Sequence, residues 1–302
     1  MEAGTADATR CVMSKSTWRV YVGLSSIPFW GIYIGAIVGI VMLGWSWSGL
    51  AIALASYFAR MLFVTGGYHR YFSHRSFKTS RVFQFLIAVG ATSSVQKGVL
   101  WWAAHHREHH RDTDGPLDPH SPNQVGFWWS HLGWFLSPDT KKTDFTKIRD
   151  FAKYPELRWI NRYHLLVPVA YAAALLWLSG VHALVWGFFV STVLLWHGTF
   201  AINSLSHVIG KQRYKTSDES RNHLGLALIT LGEGWHNNHH YYQLSACHGF
   251  RWYEIDMTYY ILYSLSLFGL VWDLRRPPAY IVAGVSKREF LTQRATIRKQ
   301  AA

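Results

Sequence analysis

Two long stretches of the chain carry no charged residue. The first runs from Val20 to Ala59 and the second from Tyr163 to Gly210. Each is long enough for two membrane-spanning helices at about 20 residues apiece. The pattern predicts spans near Ser26–Trp45 and Leu50–Gly67, joined by a short turn at Ser46–Gly49. It predicts two more near Leu165–Leu178 and Ala183–Ser204, joined at Ser179–His182. Val82–Ala104 and Met257–Trp272 are apolar but interrupted by polar positions, and read as amphipathic helices on the membrane face or packed on a cytoplasmic domain. The expected fold is therefore an all-α integral membrane protein. Four transmembrane helices in two hairpins would carry a helical cap. The expected divisions are a polar N-terminal tail over 1–25, a membrane domain over 26–284 and a basic C-terminal tail over 285–302.

Composition supports this reading. Half of the 302 residues are apolar and 16% are charged, against about a quarter in soluble domains. Lys and Arg exceed Asp and Glu by thirteen, and the cationic segments sit at Arg10–Arg19, Arg70–Arg162 and beyond Lys211. The positive-inside rule then places both termini and both large loops in the cytoplasm, facing anionic membrane lipid. A bacterial inner membrane suits this layout, and nucleic acid is excluded as a partner. Two distant cysteines, Cys11 and Cys247, form no disulfide framework. No small-residue cleavage site follows the first apolar stretch, so no cleaved signal peptide is expected. Arg60 lies about two turns from the cytoplasmic end of the second span, where its stem is expected to snorkel outward.

The histidines define the chemistry. Of seventeen, eight fall in three groups: His69 and His74 in HRYFSH, His106, His109 and His110 in HREHH, and His236, His239 and His240 in HNNHH. His207 stands alone in NSLSH after the fourth apolar segment. On a helix, positions i, i+3 and i+4 share a face, so each H-x2-HH presents three imidazoles on one side. H-x4-H shares a face only if the helix loosens, which Gly66-Gly67 permits. The predicted topology brings all nine histidines to one membrane face. Nine imidazoles exceed what one metal takes, whereas two metals with four or five nitrogens each accommodate them. Imidazole suits iron, copper, zinc and nickel, and redox chemistry at a membrane face favours iron, with zinc able to substitute. His105, His120, His131, His164, His182, His197, His223 and His248 lack partners at ligand spacing and are read as packing residues.

These motifs, in this order, with DPHS at Asp118–Ser121 and GEG before HNNHH, resemble the acyl-CoA (stearoyl-CoA-type) delta-9 desaturases, without a fused cytochrome b5 domain. The resemblance spans about Ile27 to Arg276. It implies two irons held by His69, His74, His106, His109, His110, His207, His236, His239 and His240, with Asn203 acting through water. No catalytic residue is implied beyond this metal centre. It implies O2-dependent removal of two hydrogens from adjacent methylenes of a long-chain acyl group, leaving a cis double bond. A bent, dry tunnel would hold the chain. Gln96, Trp102 and Thr199 match its bend, and Tyr57 and Met61 match its far end. The family often has Trp where Phe200 stands. A bulky Met61 would favour a sixteen-carbon chain over eighteen. Lys97, Arg75, Lys78, Arg158 and Arg162 offer cations for the phosphates of coenzyme A, with lipid-linked or acyl-carrier-protein-linked chains as the other carriers. After Arg276 there is no room for a haem domain, and two cysteines are too few for an iron–sulfur cluster. Electrons are therefore expected from a separate ferredoxin or cytochrome b5-type donor with its NAD(P)H reductase.

Two rival readings make different demands. A membrane hydroxylase on the same scaffold would yield an alcohol in place of an alkene, and its relatives more often show H-x3-H and H-x3-HH spacing. A metal transporter would distribute polar ligands along its spans, whereas these spans are nearly featureless.

Overall fold

The computed structural model describes residues 26–300; the polar tail over 1–25, and with it the question of a cleaved leader, lies outside the described residues. Helix α1 spans Ile27–Leu43 and stops at Gly44, whose φ of 73° lies in the left-handed region. Helix α2 starts at Trp47, with the Ser46 hydroxyl accepting from Gly49 N at 3.0 Å. After Phe63 it widens into a π-helix over Val64–Ser73. Helices α3 (Arg81–Thr92) and α4 (Val99–Arg111) follow. The sequence pattern had suggested one stretch here; a turn over Ser93–Gly98 divides it.

Beyond a run of short helical pieces and turns come α5 (Pro155–Arg162) and α6 (Leu166–Ala183). Gly180 breaks α6 with φ 74° and ψ −172°, at the expected turn. A π-segment, Leu184–Val190, leads into α7 (Ser191–Ser204). The two apolar turns meet: His182 Nε2 lies 3.0 Å from Ser46 Oγ. His182 is thus tied to the turn at Ser46 and belongs to neither of the histidine sets described below. Short helices α8 (Leu224–Ile229) and α9 (His236–Tyr241) precede α10 (Met257–Leu267) and the C-terminal α11 (Lys287–Gln300). One small antiparallel pair joins Lys78–Thr79 to Val271–Trp272.

Two helical stretches, Trp47–Ser73 and Leu166–His207, are long and apolar enough to cross a membrane; Ile27–Leu43 is apolar but only 17 residues long. The outer surfaces of these helices are apolar and exposed, as at Ile34, Val41, Val169, Trp177 and Leu178, which is the reverse of a water-facing surface. Inside, Phe29 of α1 stacks on Trp196 of α7 with centroids 4.6 Å apart.

Arg60 does not snorkel. Its side chain is buried, donating from Nη1 to Ser93 O (3.3 Å) and Thr192 Oγ1 (2.8 Å) and from Nη2 to Ser191 Oγ. Its guanidinium also lies 5.3 Å from the Tyr171 ring centroid. The polar partners come from the turn after α3 and from α7, so the inward rotamer satisfies donors that an outward one would leave to lipid.

Candidate metal centre

The π-helix solves the spacing of the first histidine pair. His74 N donates to His69 O across five residues at 3.2 Å, so the widened turn puts positions i and i+5 on one side. The two rings lie 4.9 Å apart. Gly67 is needed for this segment to lie against α3, because a Cβ there would meet Ile87 Cγ2 at 2.8 Å.

Helix α4 carries the second group. Asn161 of α5 caps it, accepting from Leu100 N (3.1 Å) and Trp101 N (2.9 Å). Arg107, inside HREHH, points the other way and ties α4 to the end of the π-helix. It donates to Phe72 O and Ser73 O at 2.9 Å and pairs with both oxygens of Asp150. The two asparagines of HNNHH are equally structural. Asn237 accepts from Arg213 N and Tyr214 N, and Asn238 donates to His248 O and Glu254. Both are fully buried and fix the short helix α9.

All nine histidines converge, but as two sets. His69, His74, His106, His110 and His239 form one; His109, His207, His236 and His240 form the other, with candidate ligand atoms in each within 4.8 Å of one another. The expectation that each H-x2-HH presents its three rings together is therefore corrected. In α4, His106 and His110 serve the first set and His109 the second. In α9, His236 and His240 serve the second set and His239 the first. The i and i+4 rings stay together while the i+3 ring swings to the neighbouring set.

The donor chemistry fits metal ions. In the first set the Nε2 atoms follow one another at 2.9–3.0 Å, in the order His69, His239, His110, His106, His74. In the second, His207 and His236 Nε2 lie 3.1 Å apart. Two nitrogens at right angles on one ion at about 2.1 Å are roughly 3.0 Å apart. Four rings have Nδ1 bonded to carboxylates: His69 to Glu233, His109 to Asp118, His207 to Asp114 and His240 to Asp218. Each such bond places the proton on Nδ1 and leaves a lone pair at Nε2 facing the other rings, as metal-binding histidines require. His240 Nε2 is buried without a hydrogen-bond partner, as a ligand atom awaiting a cation would be.

The electrostatics point the same way. Burial, reinforced by neighbouring imidazoles, holds His106, His110, His236 and His239 well below the usual imidazole range. These rings are neutral at pH 7 and able to bind metal. Burial opposes ionisation of Asp118 and Asp218, yet the facing imidazoles and backbone N–H donors prevail and hold both well below the carboxylate range. Asp114 is brought down to about 2 against the same burial by His207, Ser121 and Glu219 N.

Sequence spacing missed these carboxylates and two histidines. His120 lies with His109 and Asp118, and His248 with His69 and Glu233. Both had been read as packing residues, and both adjoin the ring sets. DPHS held the signal for Asp118 and His120; nothing local marks His248.

The three residues expected at the tunnel's bend meet one another. Gln96 Nε2 donates to Thr199 Oγ1 at 3.0 Å, and Trp102 Nε1 to Gln96 Oε1 at 3.4 Å. Two cavities adjoin here and share Trp102, His106, Thr199 and Asn203. One extends past Gln96 to Trp134 and Phe200; the other reaches Met61 and Val64. Tyr57, one turn beyond Met61, is not among the residues lining the second cavity; its hydroxyl donates to Ile229 O at 2.7 Å. The five candidate cations each have a partner of their own. Arg75 pairs with Asp150 and Lys78 with Asp273, while Lys97, Arg158 and Arg162 lie over aromatic rings.

Fold and site together define a helical protein with apolar outer surfaces and paired histidine pockets able to hold metal beside two adjoining cavities. A family model described as fatty acid desaturase matches residues 45–272, and the chain belongs to that family: it is a desaturase, an oxidoreductase of a membrane-associated kind. It is 35% identical over 254 residues to an sn-1 stearoyl-lipid 9-desaturase of Anabaena variabilis, covering 83% of this chain and 93% of the relative. An sn-1 stearoyl-lipid 9-desaturase of Synechocystis is 36% identical, over 84% of this chain and 80% of its own. An acyl-CoA 5-desaturase of Anemone leveillei is also 36% identical, over 77% and 73%.

Proposed function

We propose that the chain introduces a cis double bond, at the delta-9 position, into a sixteen- or eighteen-carbon saturated acyl thioester, with O2 as co-substrate. The observation that carries this is the pair of adjoining cavities that share Trp102, His106, Thr199 and Asn203 beside the histidine sets. His69, His74, His106, His110 and His239 would hold one iron. His109, His207, His236 and His240 would hold the other, with Asn203 acting through water. Bound there, two irons supply the activation of O2 that removes the two hydrogens.

The protein's own part is placement. Trp102, Thr199 and Gln96 form the corner around which the acyl chain bends beside His106. Met61 and Val64 close the apolar limb and keep water from it. Asp114, Asp118, Asp218 and Glu233 keep the rings in one tautomer and orientation. In the membrane reading, four apolar segments form two hairpins whose outer turns meet at Ser46 and His182, with the site and termini cytoplasmic. A separate ferredoxin or cytochrome b5-type protein supplies the electrons. Coenzyme A is the first choice of carrier. A glycerolipid-linked chain is the second reading, favoured by the names of the two cyanobacterial relatives and by the pairing of Arg75 and Lys78 with carboxylates.

The direct test is gas chromatography of lipids from a desaturase-deficient host expressing the chain, then of purified protein given iron, a reductant and either acyl-CoA or phospholipid. No new double bond would refute the reading. Met61→Ala is expected to shift the ratio of eighteen- to sixteen-carbon turnover upward by about tenfold, the scale at which an apolar pocket discriminates a methylene. An unmoved ratio would place the tunnel's end elsewhere.

A further inference from the structure

The turn between α3 and α4 is held more firmly than a helix connection requires. Val95 and Lys97, on either side of Gln96, both adopt left-handed backbone, with φ of 59° and 66°. For a β-branched residue such as Val this is a true outlier, and strained conformations persist only where the surroundings over-determine them. Three side chains from elsewhere do so. Arg60 donates to Ser93 O at 3.3 Å, Trp196 Nε1 to Ser94 O at 3.1 Å, and the Tyr68 hydroxyl to Lys97 O at 2.7 Å. All three donors are buried, as are Ser93, Ser94 and Gln96.

Each donor sits on a helical element that also carries a residue of the site or of its cavities. Tyr68 adjoins His69 and stacks on Trp102 with centroids 5.3 Å apart. Trp196 lies on α7, one turn before Thr199. Arg60 adjoins Met61 on α2. The three bonds therefore reference the position of Gln96, and with it the corner made with Thr199 and Trp102, to the elements that carry the histidines and the tunnel floor.

We propose that Arg60, Tyr68 and Trp196 are positioning residues that set where along the acyl chain the double bond falls, by fixing the strained turn that carries Gln96 relative to the histidine sets. This rests on the desaturase reading above. The carbons presented to the site are counted from the corner, so a corner that drifts presents a neighbouring methylene. Overall similarity does not determine the count, since the relatives named as 9-desaturases and as a 5-desaturase stand at nearly equal identity to this chain.

The test is the distribution of double-bond positions made by the full chain and by Tyr68→Phe and Trp196→Phe, read by mass spectrometry of derivatised products, with iron per chain measured alongside. Tyr68→Phe removes a single hydroxyl, so a readout survives if Trp196→Phe fails to fold. An apolar tunnel discriminates one methylene by about 10–200-fold, so loosening the turn should raise a neighbouring isomer from a trace to about a tenth of the product, with iron content unchanged. A single isomer at the wild-type position, at whatever rate, overturns the proposal, as does complete loss of product with iron retained. Absence of any double bond from the wild-type chain would instead bring down the desaturase reading itself.

Discussion

His236→Ala should yield a protein that forms no detectable double bond and binds about one iron per chain where the wild type binds about two. His236 belongs to the four-ring set, where its Nε2 lies 3.1 Å from that of His207. Its removal leaves three imidazoles there. The five-ring set contains none of the missing atoms and keeps every ligand. Loss of a residue that merely orients a metal ligand costs about 10–100-fold in affinity or activity, and loss of the ligand itself costs more. Iron analysis of the purified variant beside gas chromatography of its products checks both halves. Retention of two irons, or loss of both, would contradict the division of the site into two sets.

Glu233→Leu is expected to have the largest effect on stability. Glu233 accepts from His69 Nδ1 and from Arg70 Nε (3.2 Å) and Nη2 (3.0 Å), and His248 Nδ1 lies 3.5 Å away. Arg70 is completely buried; without Glu233 its charge is met, among the described residues, by Asp256 and the carbonyl of Ala246. Breaking a buried pair from one side costs about 3–5 kcal/mol, against a net stability of about 5–15 kcal/mol for a whole domain. Detergent-solubilised Glu233→Leu should therefore melt about 10 °C or more below wild type. Glu233→Gln keeps the shape and one hydrogen bond, so it should fold better and instead bind iron about 10–100-fold more weakly. Melting temperatures near wild type for both variants would mean that Glu233 does not hold Arg70 and His69 together.

The sequence made the apolar helices and the three histidine groups readable because both obey local periodicities. An absence of charge marks both turns between the apolar helices, at Ser179–His182 where Gly180 makes the break and, less accurately, at Ser46–Gly49, since the first helix already stops at Gly44 and the next begins at Trp47. Gly66-Gly67 with H-x4-H even announced a loosened helix, which became a π-helix. What remained hidden depends on contacts between distant segments. Asp114 meets His207 across 93 residues, and Glu233 meets His69 across 164; no spacing rule connects them. His120 and His248 looked isolated because their partners are tertiary. The snorkelling expected of Arg60 fails for the same reason: the polar groups that receive it, on Ser93, Ser191 and Thr192, belong to other segments. The residues between the histidines of the boxes act through distant partners too: Arg70, Arg107, Asn237 and Asn238 hold the boxes in place.

The crossed allocation of rings between α4 and α9 has a mechanical result. Each helix supplies rings to both sets, two to one and one to the other, in opposite senses. A slide or tilt of either helix therefore displaces parts of both sets at once. The interval between the two centres is geared to the same two rods that build them, so a thermal excursion distorts both together before it can pull them apart.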